Sequence, residues 1–225
     1  MSRLPNKLGP RIDGASQLAG SRHEVPLFPL DTVLFSGGRL SLRLFEPRYL
    51  DMLARCLKSQ SGFGVVLSRQ APEDLQPDVD ASAWQGPEVP DIFDVGTYAV
   101  VVDFDQLEDD TLGIVCQGEA KFRVRETRVL KDGLLVGDVE FLPEERPQAL
   151  SAEHRPLIDV LRELLRHPLV SKLDLSVNFD DARSVGWRLA ELLPLEPEIK
   201  QGLLQMNLPR ERLTELARLV DNLRG

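Results

Sequence analysis

Hydrophobic and polar residues alternate in short runs over the first two thirds of the chain, a pattern typical of β-strands. Residues 39–44 alternate arginine or serine with leucine, and the apolar run at 63–67 predicts a buried strand. Glycines and aspartates recur between such runs and predict tight turns. Pro26 and Pro29 interrupt the first apolar run, so we predict an edge strand or an extended segment there. One amphipathic helix, residues 47–59, is predicted among the strands.

The apolar period changes after a stretch rich in proline and glutamate. Beyond it, leucines recur at a spacing of about 3.6 residues and predict four helices, with Pro197 and Pro209 in first turns. The chain is therefore expected to be α+β. We predict a flexible tail at 1–23, an antiparallel β domain that closes on itself at 24–143, and a helical bundle at 148–225.

The segment 70–94 has an unusual composition. It holds seven acidic residues, no basic residue and several prolines, which predicts a long mobile loop. Trp84 is a large aromatic residue in this polar setting and is a candidate for surface contacts. Asp91 and Asp94 could indicate acid–base or cation chemistry, but no third ligand accompanies them, so we expect no such site.

Charge and composition restrict the classes of function. The chain of 225 residues has a net charge of −9, and residues 25–150 hold 12 basic and 22 acidic side chains. This balance favours solubility and disfavours binding to a phosphate backbone. No apolar run approaches the roughly 18 residues of a membrane span, and residues 1–22 contain no secretory signal, so we expect a cytoplasmic protein without membrane association.

The residues that carry chemistry form no recognisable catalytic or metal-binding pattern. Cys56 and Cys116 are far apart, and the three histidines share no metal-ligand spacing. Cys56 lies on the apolar face of the predicted helix, which favours a buried thiol. We therefore expect no catalytic residues, no cofactor and no metal.

Two neighbouring stretches are distinctive in their order of residues. Residues 25–38 read VPLFPLDTVLFSGG, and residues 40–49 read LSLRLFEPRY. Further distinctive segments lie at 63–66, 95–97, 118–124 and 189–213. Together these segments resemble the N-terminal, substrate-binding domain of the Lon ATP-dependent protease, and the resemblance covers residues 24–223. Ser36 stands where that family usually has proline, which loosens the turn.

The resemblance implies a fold and a type of function. The fold would be a PUA-like β pseudobarrel followed by an α-helical subdomain, and the function would be binding of unfolded or hydrophobic protein segments. A protease or a chaperone is a further candidate partner. The ATPase of Lon needs a loop ending in Gly-Lys, and this sequence contains no Gly-Lys pair. Residues 131–133 match a fragment of the proteolytic motif but lack its serine, so we expect a hairpin turn and no enzymatic activity.

Peptide binding is predicted around the first apolar run and the start of the helix. The candidate residues are Phe28, Phe35, Phe45, Glu46, Arg48, Tyr49 and Trp84. The three phenylalanines could form an apolar groove or could instead fill the core. Glu46 and Arg48 could recognise a peptide or could lock the helix to the β domain.

Three classes of function stay open at this point. A protein-binding module is favoured by the resemblance. RNA binding, known among PUA-like folds, is disfavoured by the net charge of −10 over residues 25–150. A small-molecule binder or an unrecognised hydrolase is the third class, and the lack of a catalytic cluster argues against the hydrolase. The sequence does not indicate an oligomeric state.

Overall fold

The computed structural model describes residues 20–69, 89–107, 111–168, 170 and 175–224. The chain divides into two compact units, and the division falls between Glu144 and Glu145. The described part of the first unit is a β-sheet with one helix and that of the second unit is helical, so the protein is α+β. Among the described residues, no helix has the length and apolar character needed to cross a membrane.

The described part of the first unit contains six strands and one helix. They are β1 (Arg22–Leu30), β2 (Arg39–Leu44), α1 (Pro47–Ser59), β3 (Phe63–Leu67), β4 (Val95–Gln106), β5 (Leu112–Val129) and β6 (Leu135–Phe141). Helix α1 has the predicted bounds. The predicted flexible tail, residues 1–23, includes Arg22 and His23, which pair with Glu140 and Val139 of β6, so it ends too late in the chain. Residues 1–19 lie outside the described residues.

The strands pair in the order β2–β5–β4–β3–β1–β6, and the second half of β5 also pairs with β6. Strands β5, β4, β3, β1 and β6 therefore form a closed ring of pairings, and β2 lies outside the ring against β5. The prediction of a wholly antiparallel sheet is wrong, because β1 and β3 run parallel. A parallel pair needs a long crossover connection, which β2 and α1 provide.

Strand β1 is central despite its two prolines, so its assignment to a sheet edge is wrong. Pro26 lies opposite Val136 in the half of β1 that pairs with β6. Pro29 lies opposite Val66 in the half that pairs with β3. Each half of β1 is paired mainly on one side, which leaves the other side free for a residue that lacks an amide hydrogen.

Two apolar clusters form the core of the first unit. In the first cluster, one face of α1 packs against residues from β1 to β5, and Tyr49, Met52, Leu53 and Cys56 are buried there. The second cluster surrounds Phe122 and includes residues of β1, β3, β4, β5 and β6. The amphipathic pattern of α1 thus supplies the apolar face that covers this part of the sheet.

The last residues of the predicted loop at 70–94 are bonded to the sheet. Residues 70–88, which include Trp84, lie outside the described residues, but the chain from Asp91 onward is bonded to the sheet. The Arg69 amide donates to the Asp91 carbonyl at 2.8 Å, and the Arg69 guanidinium lies 4.0 Å from the centroid of the Phe93 ring. These contacts connect the two described ends of the segment.

The second unit contains the four helices that the leucine spacing predicts. They are α2 (Arg155–Arg166), α3 (Ala182–Leu192), α4 (Pro197–Gln205) and α5 (Pro209–Arg224), with a 3₁₀ turn at Ala152–His154 before α2. Pro197 and Pro209 occupy first turns, as predicted. Helix α3 packs against α2 and α5, and its Val185 and Leu189 are buried, as are Leu213 and Leu216 of α5.

Candidate functional site

Most of the predicted aromatic groove lies in the core. Phe28, Phe35 and Tyr49 are buried, and the Phe28 ring meets the rings of Tyr49 and Phe63 edge to face at 4.1 and 6.1 Å between centroids. Burial raises the pKa of Tyr49 to about 12. These three side chains stabilise the fold and are not accessible to a ligand, whereas Phe45 is exposed.

Glu46 and Arg48 form a joint between α1 and the β5–β6 turn. Arg48 Nη2 lies 2.6 Å from Glu46 Oε2, and Arg48 Nη1 donates to the Gly133 carbonyl at 3.2 Å. The guanidinium also lies 4.8 Å from the centroid of the Tyr49 ring. Both side chains are largely buried, so this geometry favours the structural alternative over direct peptide recognition.

Loss of this joint should destabilise the first unit. We expect Arg48→Ala to lower its free energy of unfolding by about 2 kcal/mol, because the variant removes the positive charge that faces the largely buried Glu46 carboxylate. Arg55→Ala is a matched control on the same helix, because Arg55 reaches Asp132 of the same turn at 3.9 Å but is exposed. The control should cost about 0.5 kcal/mol or less in urea denaturation. Equal losses of stability in Arg48→Ala and Arg55→Ala would contradict the role of Glu46 and Arg48 as a joint between α1 and the β5–β6 turn.

Three exposed apolar side chains lie at one end of the sheet, where β2, β5 and β4 run side by side. We call Phe45, Phe104 and Leu107 the distal apolar surface; their side chains are 38%, 47% and 37% exposed. Phe45 directly follows Leu44 in β2, and Leu44 pairs with Leu112 of β5.

The strand register places the other two residues at the same end. Phe104 of β4 lies opposite Ile114 of β5, and the Leu107 amide donates to the Thr111 carbonyl at 2.9 Å. Thr111 directly precedes Leu112, so Phe45 and Leu107 lie on either side of this part of β5.

The end of β4 that carries Phe104 projects beyond the core. Residues 103–106 are all exposed, so both faces of β4 meet solvent there, whereas the preceding part of the strand is buried on both faces. A register shift between Val101 and Asp103 marks the change. Phe104 is on the face of Ile114, which is buried, but the core does not extend far enough to cover it. Leu107 lies over Gly113 on the opposite face, so Phe104 and Leu107 flank the projecting end of β4. Apolar side chains left exposed at one end of a sheet are typical of interaction surfaces.

The predicted chemical candidates are buried or ion-paired. Cys56 and Cys116 are buried free thiols, and burial raises the pKa of Cys116 to about 12 and that of Cys56 above its usual value. Such thiols stay protonated at neutral pH and are poor nucleophiles. Asp91 and Asp94 pair separately with Arg69 at 3.3 Å and with Arg123 at 3.7 Å. In the described ranges, no histidine, cysteine or carboxylate cluster could hold a metal ion.

The second unit contains an apolar cleft of about 500 Å³. Val160 and Leu164 of α2 and Val220 of α5 contribute apolar walls, and Glu163 and His167 add polar groups. The cleft has the size of a small-molecule site, but it holds few polar groups that could orient a ligand.

The chain matches one family model over most of its length. The model describes the ATP-dependent protease La (LON) substrate-binding domain and matches residues 24–222. The chain belongs to this family. The resemblance derived from the order of residues is therefore confirmed.

Lon proteases are among the curated relatives of this Lon-type substrate-binding domain. The Lon protease of Anaeromyxobacter dehalogenans is 26% identical over 220 residues, covering 88% of this chain and 24% of the relative. The Lon protease of Flavobacterium johnsoniae is 24% identical over 205 residues, with the same coverage of each chain. The chain spans about a quarter of the length of these relatives.

Solved Lon N-terminal domains share the fold. A Lon N-terminal domain protein from Xanthomonas campestris is 36% identical with a TM-score of 0.68, covering 87% of this chain and 98% of that chain. The N-terminal domain of the Mycobacterium avium complex Lon protease is 15% identical with a TM-score of 0.56, covering 86% of this chain and 96% of that chain. At that lower identity the likeness concerns the fold alone.

Sequence reasoning identified one residue of the distal apolar surface and missed the other two. Phe45 was a predicted candidate, whereas Phe104 and Leu107 were not. The acidic residues around Phe104 and Leu107 could have identified them, because residues 103–110 read DFDQLEDD and hold five acidic residues and these two apolar ones. Large apolar residues in so acidic a run are poor candidates for a core.

Proposed function

We propose that this Lon-type domain is a non-catalytic module that binds apolar segments of unfolded protein substrates at the distal apolar surface. The observation that carries the proposal is the exposure of Phe45, Phe104 and Leu107 at one end of the sheet. The family match to a substrate-binding domain supports the choice of protein as the ligand. Unfolded chains expose the apolar side chains that such a surface can bury.

The proposal also covers the architecture and the setting of the domain. We assign the closed ring of five strands to a PUA-like pseudobarrel and the second unit to its helical subdomain. Glu46 and Arg48 support the surface indirectly by fixing the start of α1, directly after Phe45. We further propose that the module works in the cytoplasm without a cofactor and presents bound segments to a protease.

Removing apolar area from this surface should weaken binding. We expect the double variant Phe104→Ser/Leu107→Ser to bind a reduced, carboxymethylated model protein about tenfold more weakly. The reason is that burial of an apolar side chain contributes about 25 cal/mol to the binding free energy for every Å² of its surface removed from water. Isothermal titration calorimetry measures the affinity, and the folded form of the same model protein should bind far more weakly.

A matched control separates local from general effects of lost apolar area. Ile199→Ser/Leu208→Ser removes two comparably exposed apolar side chains from the second unit and should leave affinity unchanged. An equal loss of affinity in both double variants would contradict the placement of the surface. A wild-type protein that does not distinguish unfolded from folded chains would contradict the proposed function.

Small-molecule binding is a second candidate function, and the cleft of the second unit is the observation that favours it. A thermal-shift screen against a metabolite panel tests this alternative, since a ligand that binds only the native state raises its melting temperature. A stabilising compound whose effect is lost in Leu164→Glu would assign the cleft to that compound. This outcome would not test the distal apolar surface, which is tested by the binding experiment with Phe104→Ser/Leu107→Ser.

A further inference from the structure

Two carboxylates accompany the distal apolar surface. Asp103 and Asp105 lie on either side of Phe104 along β4, and both are exposed. Alternation along the strand places both on the face opposite Phe104, and both faces are open to solvent here. A Cβ added to Gly113 would lie 3.4 Å from Leu107 Cδ2, and Gly113 is opposite Asp105, so Leu107 is on the face of the two carboxylates. A bound segment that covers Leu107 therefore comes within reach of negative charge.

These carboxylates lack the ion pairs that several acids of the sheet make. Where β1, β6 and β5 lie side by side, three acids pair with arginines: Glu24 with Arg128, Asp138 with Arg22 and Glu140 with Arg125. By contrast, no described residue forms an ion pair with Asp103 or Asp105. Asp103 Oδ1 accepts the amide hydrogen of Phe104, which leaves its charge in place.

The nearest arginine in the strand register is directed to another group. Arg43 of β2 and Asp105 of β4 both lie opposite Gly113 of β5, with no side chain of β5 between them. However, Arg43 Nε donates to Thr111 Oγ1 at 2.9 Å. Within the described residues, the two carboxylates at the end of β4 thus keep their negative charge outside any ion pair, on the face that carries Leu107.

We propose that the distal apolar surface selects unfolded segments in which lysine or arginine accompanies the apolar residues. This inference rests on the proposed function and names the class of segment that it binds. Such a segment wraps the projecting end of β4 and covers Phe104 on one face and Leu107 on the other with its apolar side chains. Its cations reach Asp103 and Asp105 on the face of Leu107. Segments rich in glutamate or aspartate meet like charge and are rejected.

Three peptides test the selection directly. They share leucine, phenylalanine or valine at every second position and carry lysine, glutamine or glutamate at the positions between. Fluorescence anisotropy at low salt should show the lysine peptide bound about fivefold more tightly than the glutamine peptide, and the glutamate peptide bound most weakly. High salt should reduce the preference for lysine, because the charges are exposed and screened.

Charge variants assign the preference to this surface. Asp103→Asn/Asp105→Asn should bind the lysine peptide as weakly as the wild type binds the glutamine peptide, and its affinity for the glutamine peptide should be unchanged. Asp159→Asn/Asp221→Asn is the matched control, because it removes the same total charge from the exposed surface of the second unit. The control should keep the full preference for lysine.

Each alternative result has a distinct meaning. Equal binding of the lysine and glutamine peptides, or an equal loss of preference in both double variants, would overturn the inference and leave the proposed function standing. Failure of the folded protein to bind any of the three peptides would overturn both. Self-association in analytical ultracentrifugation that is lost in Phe104→Ser would overturn the inference by assigning the surface to a second copy of this chain.

Discussion

Replacing Arg212 by alanine is expected to lower the free energy of unfolding of the second unit by about 4 kcal/mol. The Arg212 side chain is fully buried, and its guanidinium lies 3.2 Å from the centroid of the Trp187 ring. Its Nη1 and Nη2 donate to the two carboxylate oxygens of Glu145 at 3.0 and 2.5 Å. One side chain thus connects α5, α3 and the segment that leads into the helices.

Further hydrogen bonds complete the surroundings of Arg212. Its Nε donates to the Leu203 carbonyl at 3.2 Å, and its Nη2 donates to the Met206 carbonyl at 2.8 Å. Burial lowers the pKa of Arg212, whereas the hydrogen bonds and charge of Glu145 raise it, so the pair keeps the guanidinium protonated. The alanine variant removes four hydrogen bonds donated to a buried carboxylate and two carbonyls, which is the reason for the large effect.

Matched variants separate the buried pair from the general loss of an arginine. Arg210→Ala removes an exposed arginine from the same helix and should change stability by about 0.5 kcal/mol or less. Arg212→Met/Glu145→Leu removes both charges together and should be clearly more stable than Arg212→Ala. Urea denaturation followed by the helical circular dichroism signal measures all three. A loss in Arg212→Ala no larger than that in Arg210→Ala would contradict this account.

The sequence predicted those features that depend on neighbours along the chain. Helix α1 and the four helices of the second unit have local signals, because apolar spacing and first-turn prolines act over a few residues. The sequence could not predict that β1 and β3 run parallel, because strand pairing depends on contacts far apart along the chain. Arg212 gave no signal either, since its burial depends on Trp187 and Glu145, which are distant in sequence.

The candidate site was predicted only in part for a similar reason. Phe28, Phe35 and Phe45 look alike in sequence, and only their places in the sheet show that the first two are core and the third is exposed. Phe104 belongs to a strand whose start is buried and whose end projects beyond the core. The exposure of the end of β4 depends on how far the core extends, and no local sequence pattern predicts that extent.

Two glycines of the segments that resemble the Lon family enclose one aromatic ring. A Cβ added to Gly64 would lie 2.6 Å from Phe122 Cζ and 2.7 Å from Leu27 Cδ2. A Cβ added to Gly96 would lie 2.6 Å from the same Phe122 atom but also 2.5 Å from the backbone oxygen of Val65. The obstacle at Gly64 is therefore made of side chains, whereas the obstacle at Gly96 includes backbone.

This difference predicts which substitution can be rescued. We expect Gly96→Ala to lower the free energy of unfolding by about 3 kcal/mol and Gly64→Ala by about 2 kcal/mol, as for other overpacked cores. Adding Phe122→Leu frees space beside both glycines. In the Gly64 background the two changes should couple favourably by about 1 kcal/mol, because the leucine can move away from the new Cβ.

In the Gly96 background the same second change should not rescue stability. The backbone oxygen of Val65 stays in place, because β3 and β4 are paired at Val65 and Thr97, directly beside Gly96. The effects of Gly96→Ala and Phe122→Leu should therefore add to within about 0.5 kcal/mol. Urea denaturation of the three single variants, the two double variants and the wild type completes both double-mutant cycles. Equal rescue in the two backgrounds would show that the strands can separate at Gly96, and it would contradict a backbone origin for the requirement for glycine there.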